Sequence, residues 1–468
     1  MVGFELSKAV NANNVFLVKH SELEGRLDSY FYKPDFYELD KKLIKNNNVR
    51  FCHLIKSILN GYDFRDYKEF GTPYIKVANV KQGEFDFRKI QYIDFDSDEI
   101  SKSIQLKKGN LLLTRKGTFG NALSLEKNYD FVISSEVFYI ELTEQINSKY
   151  LEIFFNSALG QKQFDRNKIG AIMGSLSQEA VKSIKIPLPT LDFQENIVET
   201  HQAAYLKKQQ KEVEAQALLD GIDGYLLNEL GITLPQQDNR LEKRIFTVPF
   251  SEVVGKRVDP DYRLKYELLF SQNGKYEFVK LKELLIDTPQ YGANEEGRER
   301  NSDEDVRYIR ITDIDELGNL KNNDWKTAQN IEEQYLLKKD DILFARSGSV
   351  GRCYIHKETE QSAIFAGYLI RFKLNEQKLN SNFMFYYCNS KFYKFWVTAI
   401  ERPAVQSNIN AEEYKALPIP LPPIEKQNEI AAHISQIRAQ AKQLQADAAQ
   451  VLANAKAEIE RMILGENS

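Results

Sequence analysis

KKGNLLLTRKGTFGNA, residues 107–122, sets a short apolar run before a cation and a pair of glycines, and nearly the same phrase, KKDDILFARSGSVGRC, returns at residues 338–353. Three further phrases recur in the same order. Arg26 of GRLDSYFYKPDF matches Arg257 of KRVDPDYRLKY, PYIKVANV from Pro73 matches RYIRITDI from Arg307, and IKIPLPTLDFQENI matches LPIPLPPIEKQNEI, at offsets of 231, 234 and 233. A repeat of such long period governs the architecture. The chain reads as a tandem duplication of roughly 230 residues.

Each copy opens with about 165 residues of short β-branched and aromatic runs broken by Gly, Asn and Asp, the pattern of strands and loops with a few helices. It closes in a polar helix rich in alanine and glutamine. Pro187 and Pro189 in the first copy, and Pro418, Pro420, Pro422 and Pro423 in the second, mark the step between the parts. Proline ends strands and suits the first turn of a helix.

The C-terminal helix carries Ile430, Ile434, Ile437, Ala441, Leu444, Ala448, Val451, Ala455, Ile459 and Met462, spaced four and three residues apart almost throughout, a coiled-coil seam. Ile197, His201, Ala204, Lys208, Lys211, Ala215, Leu218, Ile222 and Tyr225 keep that spacing in the first copy, with two lysines and a histidine diluting the stripe. A helix from about Asp192 to Leu230 would be roughly 58 Å long and cannot bury such a stripe alone. The expected fold class is therefore α+β: two similar globular heads of mixed helix and strand, separated by two long antiparallel coiled-coil helices in a pseudo-twofold repeat. The expected boundaries are 1–188 and 233–421 for the heads, and 189–232 and 422–468 for the helices.

Length and composition agree with two domains: 468 residues exceed one ordinary core, and 42% hydrophobic with 28% charged residues suits a soluble globular protein. No apolar run approaches the 18 or so residues of a membrane span, and MVGFELSKAVNANN lacks the apolar core of a signal peptide, so a cytoplasmic location is expected. Cys52, Cys353 and Cys388 form neither a disulfide framework nor a zinc pattern, which leaves them as small buried hydrophobes. A net charge of −4 argues against coating nucleic acid by bulk electrostatics but leaves a local basic face open.

Catalytic and metal signatures are missing. There is no GxxxxGK[ST], HExxH or GxSxG, and His20, His53, His201, His356 and His433 are scattered without ligand spacing. LPPI at 421–424 superficially resembles the catalytic loop of DNA amino-methyltransferases. That loop needs a polar first residue to accept from the target amino group and an aromatic last one to stack on the base; Leu421 and Ile424 do neither. The expectation is a non-enzymatic, two-headed binding protein. Duplex DNA offers the matching two half-sites, about one helical turn apart.

The four phrases, repeated twice in register, resemble those of the specificity (S) subunit of type I restriction-modification systems, over nearly the whole chain. The resemblance implies two target recognition domains, each reading half of a bipartite asymmetric DNA site. It also implies spacer helices that fix the gap and dock two modification subunits. S-adenosylmethionine would sit on the modification subunits, ATP and Mg on the restriction (translocase) subunits, and no cofactor on this chain. A coiled-coil adaptor with two protein-binding heads is the alternative, separable by the salt dependence of DNA binding.

Within the repeated phrase the apolar runs Leu111–Leu113 and Ile342–Phe344 read as buried strands, and Gly117, Gly120, Gly348 and Gly351 as tight turns. Arg115, Lys116 and Thr118 in one copy, and Arg346, Ser347 and Ser349 in the other, are candidates for phosphate or base contact, or for bracing the turn against a core carboxylate. Specificity is expected where the copies diverge. One such stretch is YDFRDYKEFG (62–71) against ANEEGRERNSDED (293–305), with Tyr62, Arg65 and Tyr291 as candidates. The other is RNKIGAIMGSLS (166–177) against IERPAVQSNIN (400–410), with Lys168, Ser175, Arg402, Gln406, Ser407 and Asn408. Lys76 and Arg310 are expected to be phosphate clamps or strand-face charges.

Overall fold

A computed structural model describes residues 11, 15–23, 27–44, 47–94, 104–170, 174–234, 240, 242, 245, 247–254, 262–265, 269, 274–357, 360–401 and 407–466. Arg26 and Arg257 themselves lie outside them, as does most of the Arg257 phrase. The chain divides into two compact units, Met1–Glu212 with Ala446–Ser468, and Val213–Gln445.

In unit one, helix α1 (Pro34–Ile44) precedes strand β1 (Asn48–Arg50), and β2 (Ile55–Asn60), β3 (Thr72–Ile75), β4 (Gln91–Ile93), β5 (Leu111–Thr114), β6 (Ala122–Ser124), β7 (Val132–Ile133) and β8 (Val137–Leu142) follow. Then come α2 (Ser148–Asn156), α3 (Ala158–Asn167), α4 (Gln178–Lys182), β9 (Lys185–Pro187) and the long α5 (Leu191–Leu230). The central sheet is antiparallel in the order β2-β8-β5-β6; β3 pairs antiparallel with β4 and parallel with β7, and β1 pairs with β9.

Unit two repeats this plan. After a short α6 (Phe250–Val253) come β10 (Phe278–Lys280), β11 (Gln290–Tyr291), β12 (Gly297–Arg298), β13 (Arg307–Ile309), β14 (Thr327–Ala328), β15 (Ile342–Ala345), β16 (Cys353–Ile355), β17 (Ala363–Phe365) and β18 (Leu369–Phe372). Helices α7 (Ser381–Tyr387), α8 (Lys391–Ile400) and α9 (Ala411–Lys415), strand β19 (Pro418–Pro420) and the long α10 (Ile424–Ile463) complete the chain. The sheet order β11-β18-β15-β16, the parallel β13–β17 pair and the β10–β19 pair match their counterparts in unit one.

The central strand lacks hydrophobic alternation because both of its faces are covered. Leu111 and Leu113 pack with Tyr150, Phe154, Phe155 and Phe164, whereas Leu112 faces Ile75, Ile133 and Tyr139. In unit two Ile342 and Phe344 join Phe383, Tyr387 and Trp396, while Leu343 and Ala345 join Ile309, Tyr354 and Phe365.

Repeated caps start the helices. Asn147, Ser157 and Ser177 accept from the first-turn amides of α2, α3 and α4; Asn380, Ser390 and Asn410, each 233 residues on, do so for α7, α8 and α9. A fully buried glutamine then pins each long helix to its head. Gln194 accepts from the Asn147 amide at 2.8 Å and donates to the Pro189 carbonyl at 3.0 Å; Gln427 accepts from Asn380 at 2.9 Å and donates to Pro422 at 2.8 Å.

Within each unit the long helices run antiparallel. In unit one Ile197 shares a core with Ile459 and Ile463, and Lys211 Nζ lies 3.5 Å from the Asp447 carboxylate. In unit two the Tyr225 ring lies 4.4 Å from that of His433, and Glu229 pairs with Lys426 at 2.8 Å. Of the seam positions, Ile197, Ala204, Ile430, Ile434 and Ile459 are buried, while Leu218, Ile222, Ile437, Leu444 and Val451 are half-buried. The lysine at 211 is thus accommodated by an acidic partner on the facing helix.

The cysteines depart from expectation at one position. Cys353 and Cys388 are buried, but Cys52 is exposed, because it lies in a one-turn 3-10 helix in which Phe51 takes the core position. Among the described residues no helix is long and apolar enough to cross a membrane.

Candidate nucleic-acid interface

The repeated phrase forms the same closed loop in both units. After β5 the Thr114 amide donates to the Asn121 carbonyl at 3.0 Å and the Gly120 amide returns to Thr114 at 2.8 Å; Ala345, Arg352 and Gly351 repeat this at 2.9 and 3.2 Å. Gly117 and Gly348 take φ of 71° and 74°, and Gly120 and Gly351 86° and 82°, left-handed values that an L side chain adopts only under strain.

The arginine that follows the strand is fixed from two sides. Arg115 N donates to Glu136 O at 2.9 Å while its carbonyl accepts from Leu176 at 2.8 Å; Arg346 N donates to Tyr368 O at 3.0 Å while its carbonyl accepts from Ile409 at 2.9 Å. Both guanidinium groups lie over aromatic rings, Arg115 5.1 Å from Phe138 and Arg346 4.9 Å from Tyr291. Neither bonds a core carboxylate in the described structure, so the bracing is done by backbone and ring. The next residues, Lys116 and Ser347, bridge to Ser175 and Asn408. The second divergent stretch therefore meets the repeated loop in each unit.

In unit one Arg65, Arg115 and Lys116 line a pocket of about 280 Å3 together with Asp63, Ser135 and Glu136. Thr118 is exposed at the loop tip. Tyr62 holds the wall from outside, its amide donating to Ile133 and its carbonyl accepting from the Tyr74 hydroxyl at 2.7 Å. In unit two Ser347 and Asn408 form the pair, Ser407 is half-buried beside it, and the Ser349 carbonyl accepts from Arg352 at 3.2 Å. Arg402 and Gln406 lie outside the described residues.

Three candidates are engaged elsewhere. Lys168 caps α3, donates to Asp165 at 2.6 Å and lies over the Tyr30 ring; the hydrogen bond it gives to Asp165 raises its pKa. Lys76 bonds Tyr67 Oη and Gln91 Oε1, both at 3.2 Å. Arg310 is held by its own turn, donating to both oxygens of Asp313 at 3.0 and 2.7 Å, which lifts its pKa further. In PYIKVANV and RYIRITDI the repeated residues do the same backbone job, because the amides of Lys76 and Arg310 donate to the side chains of Asn79 and Asp313 and so close a 3-10 turn.

Several residues of the candidate site were not singled out by the sequence. Asp63 and Glu136 balance the cations of the first pocket, Phe138 supports Arg115, and Tyr368 stands 65% exposed beside Arg346. Glu136 and Tyr368 are counterparts, since β5–β8 and β15–β18 pair in the same register (Leu113 with Phe138, Phe344 with Ile370). Placing the two copies in that register was the signal available for them.

Two stretches of the chain, residues 37–215 and 273–452, match the family model described as the type I restriction modification DNA specificity domain. Among curated relatives, the type I restriction enzyme StySPI specificity subunit of Salmonella potsdam is 22% identical over 378 residues, covering 79% of this chain and 76% of the relative. The MjaVIII specificity subunit of Methanocaldococcus jannaschii is 22% identical over 394 residues, covering 80% and 84%. A solved chain from work on complex assembly and conformational transition of the type I R-M system shares the fold, with a TM-score of 0.53 at 14% identity over 89% of this chain and 97% of that one. With both family domains in place over most of its length, the chain belongs to the type I restriction-modification DNA specificity family.

Proposed function

We propose that this chain is the DNA sequence-recognition subunit of a type I restriction-modification complex, acting by binding rather than catalysis. Each head, residues 1–188 and 233–421, reads one half of a bipartite asymmetric site in double-stranded DNA. Helices 189–232 and 422–468 set the gap between half-sites and dock two modification subunits, and the restriction (translocase) subunits join that assembly in the cytoplasm. S-adenosylmethionine belongs to the modification subunits, and ATP and Mg to the restriction subunits.

The observation that carries the reading is the specificity domain present twice, in stretches that each contain the arginine loop. That loop supplies what a groove reader needs. A backbone-fixed arginine, Arg115 or Arg346, anchors the head, and divergent polar residues beside it present donors and acceptors to base edges. An anchor common to two heads that read different sequences positions the protein; the neighbours that differ carry the discrimination.

Base-resolved methylation sequencing tests this in cells carrying the chain with its modification partner, against cells lacking only the chain. The expected result is a bipartite motif with a fixed nonspecific gap that disappears on deletion. An unchanged methylome with an active partner overturns the reading and favours the adaptor.

A further inference from the structure

The turns that lead into β8 and β18 have the same hydrogen bonds and different side chains. In unit one Ser134 N donates to Ile75 O at 2.8 Å, Ser135 N to Tyr62 O at 2.8 Å, Val137 N to Ser134 O at 2.9 Å and Arg115 N to Glu136 O at 2.9 Å. In unit two Ala366 N donates to Ile309 O at 3.0 Å, Gly367 N to Ala293 O at 2.8 Å, Leu369 N to Ala366 O at 2.8 Å and Arg346 N to Tyr368 O at 3.0 Å. The first two side chains of each turn are small, Ser134 and Ser135 against Ala366 and Gly367. The third is large and solvent-facing: the Glu136 side chain is 42% exposed, and Tyr368 is 65% exposed.

From this we propose that Glu136 and Tyr368 are specificity-determining residues, one in each head, at the same place in the frame. Glu136 accepts a hydrogen bond from the exocyclic amino group of cytosine in the major groove. Tyr368 lays its ring against a base edge, with the thymine methyl as the matching apolar surface. The assignment rests on the DNA-reading function above and adds which side chains read.

Three features favour it. A reader must be held in place, and both residues are held through the backbone by the shared arginine, whose own carbonyl is fixed by the Leu176 or Ile409 amide. Packing demands neither side chain: Tyr368 leaves most of its surface in solvent, and the 3.9 Å pair of Glu136 with Lys116 is exposed on both sides, a geometry that contributes little to stability. The Lys116–Glu136 pair also changes as a unit, to Ser347 and Tyr368, so the lysine is present only where there is a carboxylate to aim. DNA phosphates repel a carboxylate, so its use beside Arg65, Arg115 and Lys116 is against an amino donor of a base.

The test is the methylome of cells carrying the full chain and its modification partner, with Glu136→Ala, Glu136→Gln or Tyr368→Ala, and the melting temperature of each purified variant. Glu136→Ala is expected to cut discrimination at one base pair of one half-site by about tenfold or more, leaving the other half-site and the gap unchanged. Glu136→Gln is expected to shift that position toward adenine, and Tyr368→Ala to relax one position of the other half-site. A motif unchanged in all three overturns the assignment. So does a uniform loss of methylation at every site by both Glu136 variants with unchanged melting temperature, which marks a general binding role. If the wild-type chain itself yields no bipartite motif, the functional reading fails first and takes this assignment with it.

Discussion

The Arg346 guanidinium lies 4.9 Å from the centre of the Tyr291 ring, and the first head makes the equivalent contact from the neighbouring strand. There Arg115 lies over Phe138. Asn60 faces Phe138 across the β2–β8 pair, and Tyr291 faces Ile370 across β11–β18, so the aromatic has exchanged strands between the copies while the arginine keeps a ring beneath it. The polar contact at that place is kept as well: Asn60 accepts from Gln178 Nε2 at 3.1 Å, and the Tyr291 hydroxyl accepts from the Ala411 amide at 3.2 Å.

Tyr291→Ala removes both ring and hydroxyl and is expected to destabilise unit two by about 1–3 kcal/mol, whereas Tyr291→Phe keeps the ring and loses only about 1 kcal/mol. Urea unfolding of the two variants checks the ordering. Equal losses would show that the hydroxyl, not the ring, supports the loop.

Gly61 and Gly292 need bare Cα atoms for reasons of space. A Cβ on Gly61 would lie 2.1 Å from the Ile133 carbonyl oxygen, and one on Gly292 2.3 Å from that of Ala366. Either alanine variant is expected to lower stability by about 1–3 kcal/mol, as overpacking against backbone does. Gly117→Ala and Gly348→Ala meet no atom within 4 Å and are strained only by their positive φ, so about 1–2 kcal/mol is expected. Calorimetric melting of each variant measures these losses.

At the helix seam burial sets the ranking. Ile459, 1% exposed and packed in the first core, should lose about 2–5 kcal/mol as Ile459→Ala. Leu444 is only half-buried, so Leu444→Glu should disturb the helix pair less than Ile434→Glu, whose site is fully buried. Denaturant midpoints compare the three.

His201 occupies the seam position that Ile434 fills 233 residues later. Burial pulls its pKa down to about 4, with Lys149 and Lys456 pushing the same way. The unfolded chain takes up this proton near 6.5, so it binds more protons than the native state between those values, and stability falls as pH drops from about 6.5 to about 4. The ring is only half-buried, which limits the loss to about 1–2 kcal/mol. His201→Leu is expected to flatten this limb, read as the difference in urea midpoint between pH 7 and pH 5.

Arg65 is exposed on the rim of the first pocket. Arg65→Ala is expected to change stability by no more than about 0.5 kcal/mol, yet to weaken DNA binding at all sequences and reduce the salt slope by about one. Affinity titrations over a range of salt check this. A relaxed preference at one base, with the slope unchanged, would instead make Arg65 a base reader.

Much of this protein was legible in its sequence because repetition is a one-dimensional signal. The matching phrases disclosed two similar heads, and the four-and-three spacing of Ile430 to Ile459 disclosed the long helix and its need for a partner. The apolar runs at 111–113 and 342–344 disclosed strands covered on both faces. Local chemistry also carried the turns, since Gly117 and Gly348 stand where φ is positive.

Only the tertiary structure decided which side chains share a surface. Arg115 and Arg346 each lie over a ring, Phe138 or Tyr291, that another strand brings beneath them. Glu136 and Tyr368 lie far in sequence from the arginines they flank and reach them through the pairing of β5 with β8 and of β15 with β18. The physical reason is range. Propensity, periodicity and turn geometry act over a few residues and can be read along the chain. Ion pairing and stacking instead depend on distances of a few ångströms between residues that strand register brings together.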